Sequence, residues 1–368
     1  MSLSVLAVAS GRLDRPTTEH LVGLARAGVT VTVVGVPGDS WSGHLAAAGA
    51  AFLPLRIRTR LDPRAILGLR RALARNEPDV VHAYNARALG CVLLAARGRA
   101  VRIVGFRGYA GNVDALGPSS WLGYLHPRVD RIVCVSRAVE RFFLELRVFG
   151  RPVAREKIVT IYKGHELDWY DGPAADLTQF GIPRQAFTVC YCGRDRPRKG
   201  IHLLVEAASL LDPSWPLHYL LVGRMDSDRL LRQIAGSLAR DRIHFAGYRA
   251  DAWRIVGACD VLALPSIQRE GLSRAVFEAM AQAVPAIVSD AGGLPEQVEH
   301  GVSGLVVPQS DPRALAQAIG RLYRDRERCA EMGRRARRRV AERFSCRQTV
   351  QETITLYEQL TGRHARAG

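Results

Sequence analysis

The chain has 368 residues, 48% hydrophobic and 24% charged, the composition of a soluble globular protein that is long enough for two doubly wound domains. No apolar run reaches the roughly 20 residues that cross a bilayer. The apolar start at residues 4–9 has no basic residue before it and is too short for a signal-peptide core, so it reads as a first strand and the protein is expected in the cytoplasm.

The formal net charge of +17 favours anionic partners, and nucleic acid, an anionic membrane surface and phosphorylated substrates all qualify. Much of the excess is local. Residues 321–343 hold ten arginines against Asp325, Glu327, Glu331 and Glu342. A coding bias toward arginine on solvated helix faces gives the same picture as a dedicated binding patch. The seven cysteines have no metal-ligand spacing, and Cys190 and Cys192, two apart in a strand pattern, face the same side, so buried thiols are expected.

In chain order, a strand at residues 3–8 leads into Ser10-Gly11 and a helix at about 16–27, with Leu21, Leu24 and Ala25 on its apolar stripe. The next strand is 29–34. The single Gly11 falls short of G-x-G-x-x-G, which counts against a dehydrogenase-type dinucleotide fold. A short strand at 53–57 precedes a helix capped by Asp62 that runs to about Asn76. Residues 79–82 read as a buried strand ending at Tyr84-Asn85, and 101–106 as a strand ending at Arg107-Gly108. A strand at 131–135 is followed by a helix capped by Ser136 and running through Leu146. This alternation predicts a parallel sheet with helices on both faces, whose ligands bind at the carboxyl ends of its strands. Gly11, His82, Tyr84, Asn85 and Arg107 occupy such ends. His82 reads as a hydrogen-bonded structural histidine in preference to a catalytic base. Arg107, followed by Gly108 and Tyr109, is the better anion contact. The loop at 109–126, rich in Gly, Ser, Trp and Tyr, has no period and suits either acceptor binding or a packed surface.

Residues 158–161 close the first half, and Lys163-Gly164-His165 with Asp171-Gly172-Pro173 reads as a linker. The alternation then restarts. A strand at 187–192 is followed by a basic loop at 193–200 and a helix at 203–210. Strands at 217–222 and 243–246 end at Gly223-Arg224 and Gly247-Tyr248, and further strands lie at 261–264, 286–289 and 304–307. Two similar α/β halves facing each other across a cleft are predicted.

Two stretches of the second half carry chemistry. In CGRDRPRKG, residues 192–200, Gly193 permits a tight turn after the strand, while Arg194 and Lys199 bring two cations to the carboxyl edge of the sheet, where they can neutralise a diphosphate. This is not a P-loop, because Gly200 follows Lys199 where Ser or Thr is required. In SIQREGLSRAVFEAMAQA, residues 266–283, Glu270 precedes Gly271 in a loop, and Glu278 stands eight residues later on an amphipathic helix. Such a stretch presents backbone N–H groups and a helix N-terminus to an anion. Carboxylates repel phosphate, so their work beside it would be to accept hydrogen bonds from hydroxyl groups. A phosphate with hydroxyls on both sides is a nucleotide sugar. The competing reading makes both glutamates solvated surface charges.

These residues carry a resemblance. Gly193-Arg194 with Lys199-Gly200, Glu270-Gly271 with Glu278, and Gly292-Gly293-Leu294-Pro295-Glu296-Gln297-Val298 with Gly301 and the run from Gly304 to Pro308 resemble the retaining nucleotide-sugar glycosyltransferases of family 4, which have the GT-B fold of two Rossmann-like domains. The first half resembles them more loosely, through Asp79-Val-Val-His82 and Val135-Ser136-Arg137-Ala138-Val139.

The resemblance implies a division of roles. Arg194 and Lys199, in the turn that Gly193 opens, would hold the donor diphosphate and stabilise it as it leaves. Glu278 would bind the ribose hydroxyls and Glu270 the donor sugar, helped by the backbone N–H groups of Gly271, Leu272 and Ser273. The base would lie near Gly223 and Gly247-Tyr248. Residues 1–164 would form the acceptor side, with Gly11, His82 and Asn85 as candidates, and residues 165–345 the donor side. The last helix, within 346–368, would pack back on the first domain. Many members have a donor-contacting histidine where this chain has Arg107, which is therefore carried as the first-domain catalytic candidate. The hinge, commonly Asn-Gly, is Lys163-Gly164 here.

The expected reaction is transfer of a sugar from a UDP- or GDP-linked donor to an acceptor hydroxyl with retention, using neither metal nor cofactor, with the domains closing to exclude water. The acceptor implied by family habit is a glycan or lipid-linked sugar of cell-envelope polysaccharide or lipopolysaccharide synthesis. Basic and aromatic surface at residues 56–75, and a helix with Phe142, Phe143 and Phe149, could meet an anionic membrane at its inner face. The competing reading makes those aromatics core and the arginines solvated. A sugar-nucleotide epimerase of the same fold would need acid and base carboxylates or histidines from both halves, and the first half offers few acids near its strand ends. Nucleic-acid binding is suggested by charge alone, without an interleaved basic and aromatic motif, and no nucleic-acid partner is expected.

Overall fold

The alternation read from the sequence becomes two parallel sheets in the computed structural model, which describes residues 3–114 and 117–363. The chain divides into one unit of Met1–Gly164 with Phe344–Gly368 and another of His165–Arg343.

The first unit begins with β1 (Ser4–Val8), α1 (Arg15–Arg26), β2 (Thr30–Gly35), α2 (Ser42–Ala47) and β3 (Ala51–Pro54). It continues through α3 (Pro63–Asn76), β4 (Val80–Ala83), α4 (Ala86–Ala95), β5 (Arg102–Arg107), the one-turn α5 (Pro118–Trp121) and β6 (Arg131–Cys134). After α6 (Arg137–Glu145) come a short hairpin, β7 (Arg147–Val148) and β8 (Arg151–Pro152), and the closing β9 (Ile158–Thr160). The sheet order is β3-β2-β1-β4-β5-β6-β9, all parallel. The order reverses between β1 and β4, and in such sheets the crevice outside that reversal is where ligands bind. Side-chain oxygens start three of its helices: Asp14 caps α1 through Thr17, Asn85 caps α4 through Ala88, and Ser136 caps α6 through Val139. The third strand lies at Ala51–Pro54, earlier than expected, because pairing with Thr32–Gly35 fixes its register.

The second unit repeats this order. Its elements are β10 (Phe187–Cys192), α7 (Ile201–Ser209), β11 (Leu217–Val222), α8 (Asp228–Ala235), β12 (Ile243–Gly247), α9 (Ala252–Val256) and β13 (Val261–Leu264). Then follow α10 (Arg274–Ala281), β14 (Ala286–Ser289), α11 (Leu294–Gln297), β15 (Gly304–Val307), α12 (Pro312–Arg324) and α13 (Arg326–Arg343). The sheet runs β12-β11-β10-β13-β14-β15, again parallel, and reverses between β10 and β13. The arginine-rich stretch lies across α12 and α13. On it Arg334 and Arg335 pair with Glu331, and Arg339 pairs with Glu299.

The last helix, α14 (Cys346–Thr361), belongs to the first unit, where Val350, Ile354, Tyr357 and Leu360 enter the core beside Leu21 and Leu24 of α1. Residues 364–368 of the expected packing segment lie outside the described residues. At the hinge, Lys163 Nζ bonds both Asp14 carboxylate oxygens, at 2.8 and 2.7 Å. Burial pushes the Asp14 carboxyl up, but Lys163 and Thr17 outweigh it and hold the group at about 2. All seven cysteines are free thiols, six buried and Cys192 half-buried. Among the described residues, no helix is long and apolar enough to cross a membrane.

Candidate functional site

In the second unit, the loop after β10 and the loop after β13 meet at the switch point. Residues Pro197–Lys199 of the first loop form a single 3-10 turn rather than open loop, and Gly200 leaves it with φ +70°. A Cβ at Gly200 would stand 1.8 Å from the Pro265 carbonyl oxygen, so only glycine lets the two loops touch. The amide of Ile267 then donates to Arg198 O at 2.8 Å. This docking carries Lys199 Nζ to 2.6 Å from Glu270 Oε1, an oxygen that also accepts from Ser266 Oγ at 3.0 Å. Glu270 is only 5% exposed, and the Arg198 guanidinium lies 4.0 Å away. The ammonium and the carboxylate, expected to do separate work, are thus one ion pair in which each fixes the other.

The glycine-rich motif supports Glu270 from behind. Gly292, at φ +56°, sits where a Cβ would meet Glu270 O at 2.2 Å, and the amide of Gly293 donates to that same oxygen. Gln297, fully buried, clamps the start of α10, accepting from the Ser273 amide at 2.7 Å and donating to Ser273 O at 3.0 Å. The Ser273 amide is therefore committed inside the protein. That corrects the expectation that it faces an anion alongside Gly271 and Leu272: the buried glutamine side chain needs both of its partners. Glu278 is buried on α10, its carboxyl raised by burial and pulled partly back by Arg274, whose Nε lies 3.1 Å from Oε1. Arg194 is exposed, with its carbonyl held by Tyr191 Oη at 3.2 Å. Gly193 and Gly223 lie at adjacent strand ends, linked onward by the Gly223 amide to Gly247 O, and Tyr248 beyond is 80% exposed.

In the first unit, a cavity of about 460 Å³ opens at the switch point. Ser10 and Gly11 after β1, Asn85 at the cap of α4, and Arg60, Arg87 and Arg107 line it. Ser10 Oγ donates to Asn85 Oδ1 at 2.7 Å, joining the two strand ends. Arg107 is 3% exposed. Its Nε donates to Tyr109 O at 2.9 Å, its terminal nitrogen to Gly111 O, and its guanidinium lies 4.0 Å from the centre of the Tyr109 ring. It offers fixed charge and hydrogen bonds but no acid–base chemistry, so it cannot act as a histidine would.

His82 is not in that cavity, contrary to its place among the acceptor-side candidates. It is 1% exposed, Nδ1 is 2.6 Å from Tyr357 Oη, and its ring stacks on Tyr84. Its side chain alternates to the face covered by α14, so it braces the last helix. Phe143 is core, and Phe149 is not on the helix: it is 76% exposed at the turn between β7 and β8, stacked on Trp121. The loop at 109–126 holds the one-turn α5, and its residues 115–116 lie outside the described residues. Sequence reasoning missed Ser266, Arg60 and Arg87, and missed what Gln297 does within a motif it had noticed. No local pattern marks Arg60, Arg87 or Gln297, whose partners lie far along the chain, and Ser266 reaches Glu270 only through the turn of their shared loop. Among the described residues, no group of three or more His, Cys, Asp or Glu is placed to hold a metal ion.

Residues 175–339 match the family model of the glycosyl transferases group 1, and residues 17–169 that of glycosyltransferase family 4. The phosphatidyl-myo-inositol mannosyltransferase of Mycolicibacterium smegmatis is 28% identical over 83% of this chain and 77% of its own length. That of Mycobacterium leprae is 30% identical over 77% of this chain and 75% of its own. Among solved structures, Anabaena HepE in complex with UDP superposes with a TM-score of 0.77 at 22% identity, over 97% of this chain and 100% of that one, which establishes the fold. The chain belongs to the group 1, family 4 glycosyltransferases of the GT-B fold. It is a glycosyltransferase.

Proposed function

We propose that the protein transfers a sugar from a nucleoside-diphosphate donor, UDP- or GDP-linked, to an acceptor hydroxyl with retention at the anomeric carbon. The observation that carries this reading is the Lys199–Glu270 pair, 2.6 Å apart at the switch point of the second unit. An ammonium and a carboxylate locked together match the two halves of a nucleotide sugar, the diphosphate and the sugar hydroxyls. Arg194 and Lys199 would stabilise the leaving diphosphate, whose charge grows as the glycosidic bond breaks, so the reaction needs no divalent ion. Glu278 would take the ribose and Tyr248 the base, with residues 165–345 serving the donor and residues 1–164 the acceptor. The UDP bound to HepE supports a uridine donor, and the names of the mycobacterial relatives support an acceptor presented by a lipid or an envelope glycan. A lipopolysaccharide precursor is of that kind, and acting on it would place the enzyme at the inner face of the membrane.

The test is product analysis. The protein with UDP- and GDP-sugars and a panel of lipid-linked and glycan acceptors, in the presence of a chelator, should release nucleoside diphosphate and form a product with the donor's anomeric configuration. Inverted product would overturn retention, and chelator-sensitive turnover would overturn the metal-free step. Donor epimerised without acceptor would favour an epimerase.

A further inference from the structure

We propose that the cavity at the switch point of the first unit is a phosphate subsite, and that the acceptor carries a phosphate group read by Arg60, Arg87 and Arg107. The proposal rests on the glycosyl-transfer reading above, which leaves the acceptor's chemistry open.

The three arginines reach the cavity from three separate elements: Arg60 from the segment before α3, Arg87 from the first turn of α4, and Arg107 from the end of β5. Among the described residues, no aspartate or glutamate lines the cavity and none of the three arginines makes an ion pair. Arg60 donates to Ser119 O at 2.6 Å and Arg87 lies 3.5 Å from Arg58 O, while Arg107 meets the carbonyls of Tyr109 and Gly111 and the Tyr124 side chain, so all their partners are neutral. Arg107, a residue only 3% exposed, carries its charge without a counter-ion, which is costly, and neutral dipoles compensate only part of that cost. Arg107 lines the cavity at the strand ends, where ligands of such sheets bind.

Three guanidinium groups arriving from different directions suit a tetrahedral anion, which has terminal oxygens to receive each, better than a flat carboxylate with two. Ser10 and Asn85 hydrogen-bond to each other on the same wall, adding polar groups within reach of hydroxyls next to that phosphate. The geometry is the same whether the phosphate is a soluble ester or the headgroup of a lipid.

The test uses the full chain with UDP at saturation, so that its donor site is occupied. Glycerol 3-phosphate is titrated calorimetrically against glycerol and glycerate, and co-sedimentation is measured with phosphatidylcholine vesicles with and without phosphatidylglycerol. Saturable binding of glycerol 3-phosphate over both controls identifies a soluble ester. Binding only to phosphatidylglycerol vesicles identifies a lipid phosphate. In either arm, Arg60→Gln and Arg87→Gln, both on accessible side chains, should each weaken binding about tenfold, the loss expected for one charge-assisted contact. Arg107→Gln should weaken it more. Arg102→Gln, on a side chain outside the cavity, should change nothing. Neither ligand binding, glycerate binding as tightly as the phosphate ester, or binding untouched by the two accessible variants would each overturn the subsite. UDP titrated alone keeps the two claims apart: if UDP binds and the phosphate probes do not, the subsite fails and the transfer reading stands. GDP is titrated in the same way, and if neither nucleotide binds, both fall.

Discussion

The two units share one strand order, yet they treat the cation at the switch point in opposite ways. In the second, Lys199 is neutralised by Glu270 at 2.6 Å, and in the first, Arg107 meets carbonyl oxygens and aromatic rings. A buried ion pair adds little net stability, since desolvation offsets most of the attraction, but it fixes position. A carbonyl-held guanidinium keeps its full charge for a ligand. The same reversal of a parallel sheet therefore presents a positioned pair in one unit and an uncompensated charge in the other.

The strongest way to break this comparison is Lys199→Ala. If the lysine stabilises charge that develops as the diphosphate leaves, turnover should fall on the order of 10²-fold or more, as it does when an oxyanion donor is removed. The variant also leaves Glu270 buried without its cation, so thermal unfolding should be measured with it. A folded variant with unchanged turnover would reduce the pair to a structural contact and end the donor-site assignment.

A smaller effect should follow from Gly200→Ala, which touches no charge. The new methyl would sit against Pro265 O, at a φ that other residues rarely adopt, and relieving that contact must separate the two loops. Lys199 would then move relative to Glu270, and turnover should fall about tenfold, within what small misplacements of catalytic groups cause. Normal turnover in Gly200→Ala, together with a large loss in Lys199→Ala, would mean that the lysine acts without needing the pair's geometry.

Most of the fold was legible in the sequence because its signals are local. Asp62 and Ser136 announce their helices as caps, and buried strands such as 187–192 and 217–222 show as apolar runs between Gly-rich turns. The strand at 51–54 was displaced in the reading because its register comes from pairing with its neighbour, which leaves no trace in its own residues. The residues proposed for the donor side could be named as a set, since glycines and charges stand at the spacing of the family they resemble. What the spacing could not reveal is that Lys199 and Glu270 touch, that Gln297 occupies the Ser273 amide, or that Arg60 joins Arg107 from far along the chain. Those facts depend on how loops dock, and docking is set by contacts such as Gly200 against Pro265. His82 shows the converse. Its residue type and strand-end position favour a hydrogen-bonded structural histidine, but the partner is invisible until the covering helix is known, and here α14 supplies Tyr357 to bond it.

The mildest effect concerns the first unit alone and appears only in acid. His20 Nε2 lies 3.0 Å from Thr353 Oγ1, whose own proton goes to Thr349 O, so the imidazole donates from Nε2 and is left to accept from Tyr84 Oη at Nδ1, 3.3 Å away. A second proton has no acceptor there. Burial lowers His20 to about 3, with Lys163 adding to the shift, and burial lowers His82 to about 3, with His20 adding to it. A histidine in the unfolded chain titrates near 6.5, so between that pH and about 3 the unfolded state binds more protons than the folded one. The stabilisation is thus complete above pH 6.5 and is lost as the pH falls, by up to about 1.4 kcal/mol per pH unit for each histidine. Melting of the wild type should show this slope between pH 6 and 4, roughly 2–4 °C for each kcal/mol lost in a unit of this size. His20→Gln should flatten it. Tyr357→Phe should lower the melting midpoint at neutral pH by removing one buried hydrogen bond, a loss of about 1–3 kcal/mol, while donor turnover stays as in the wild type. An equally steep acid slope in His20→Gln and in a matching His82→Gln would assign the loss to groups outside this brace between α1, β4 and α14.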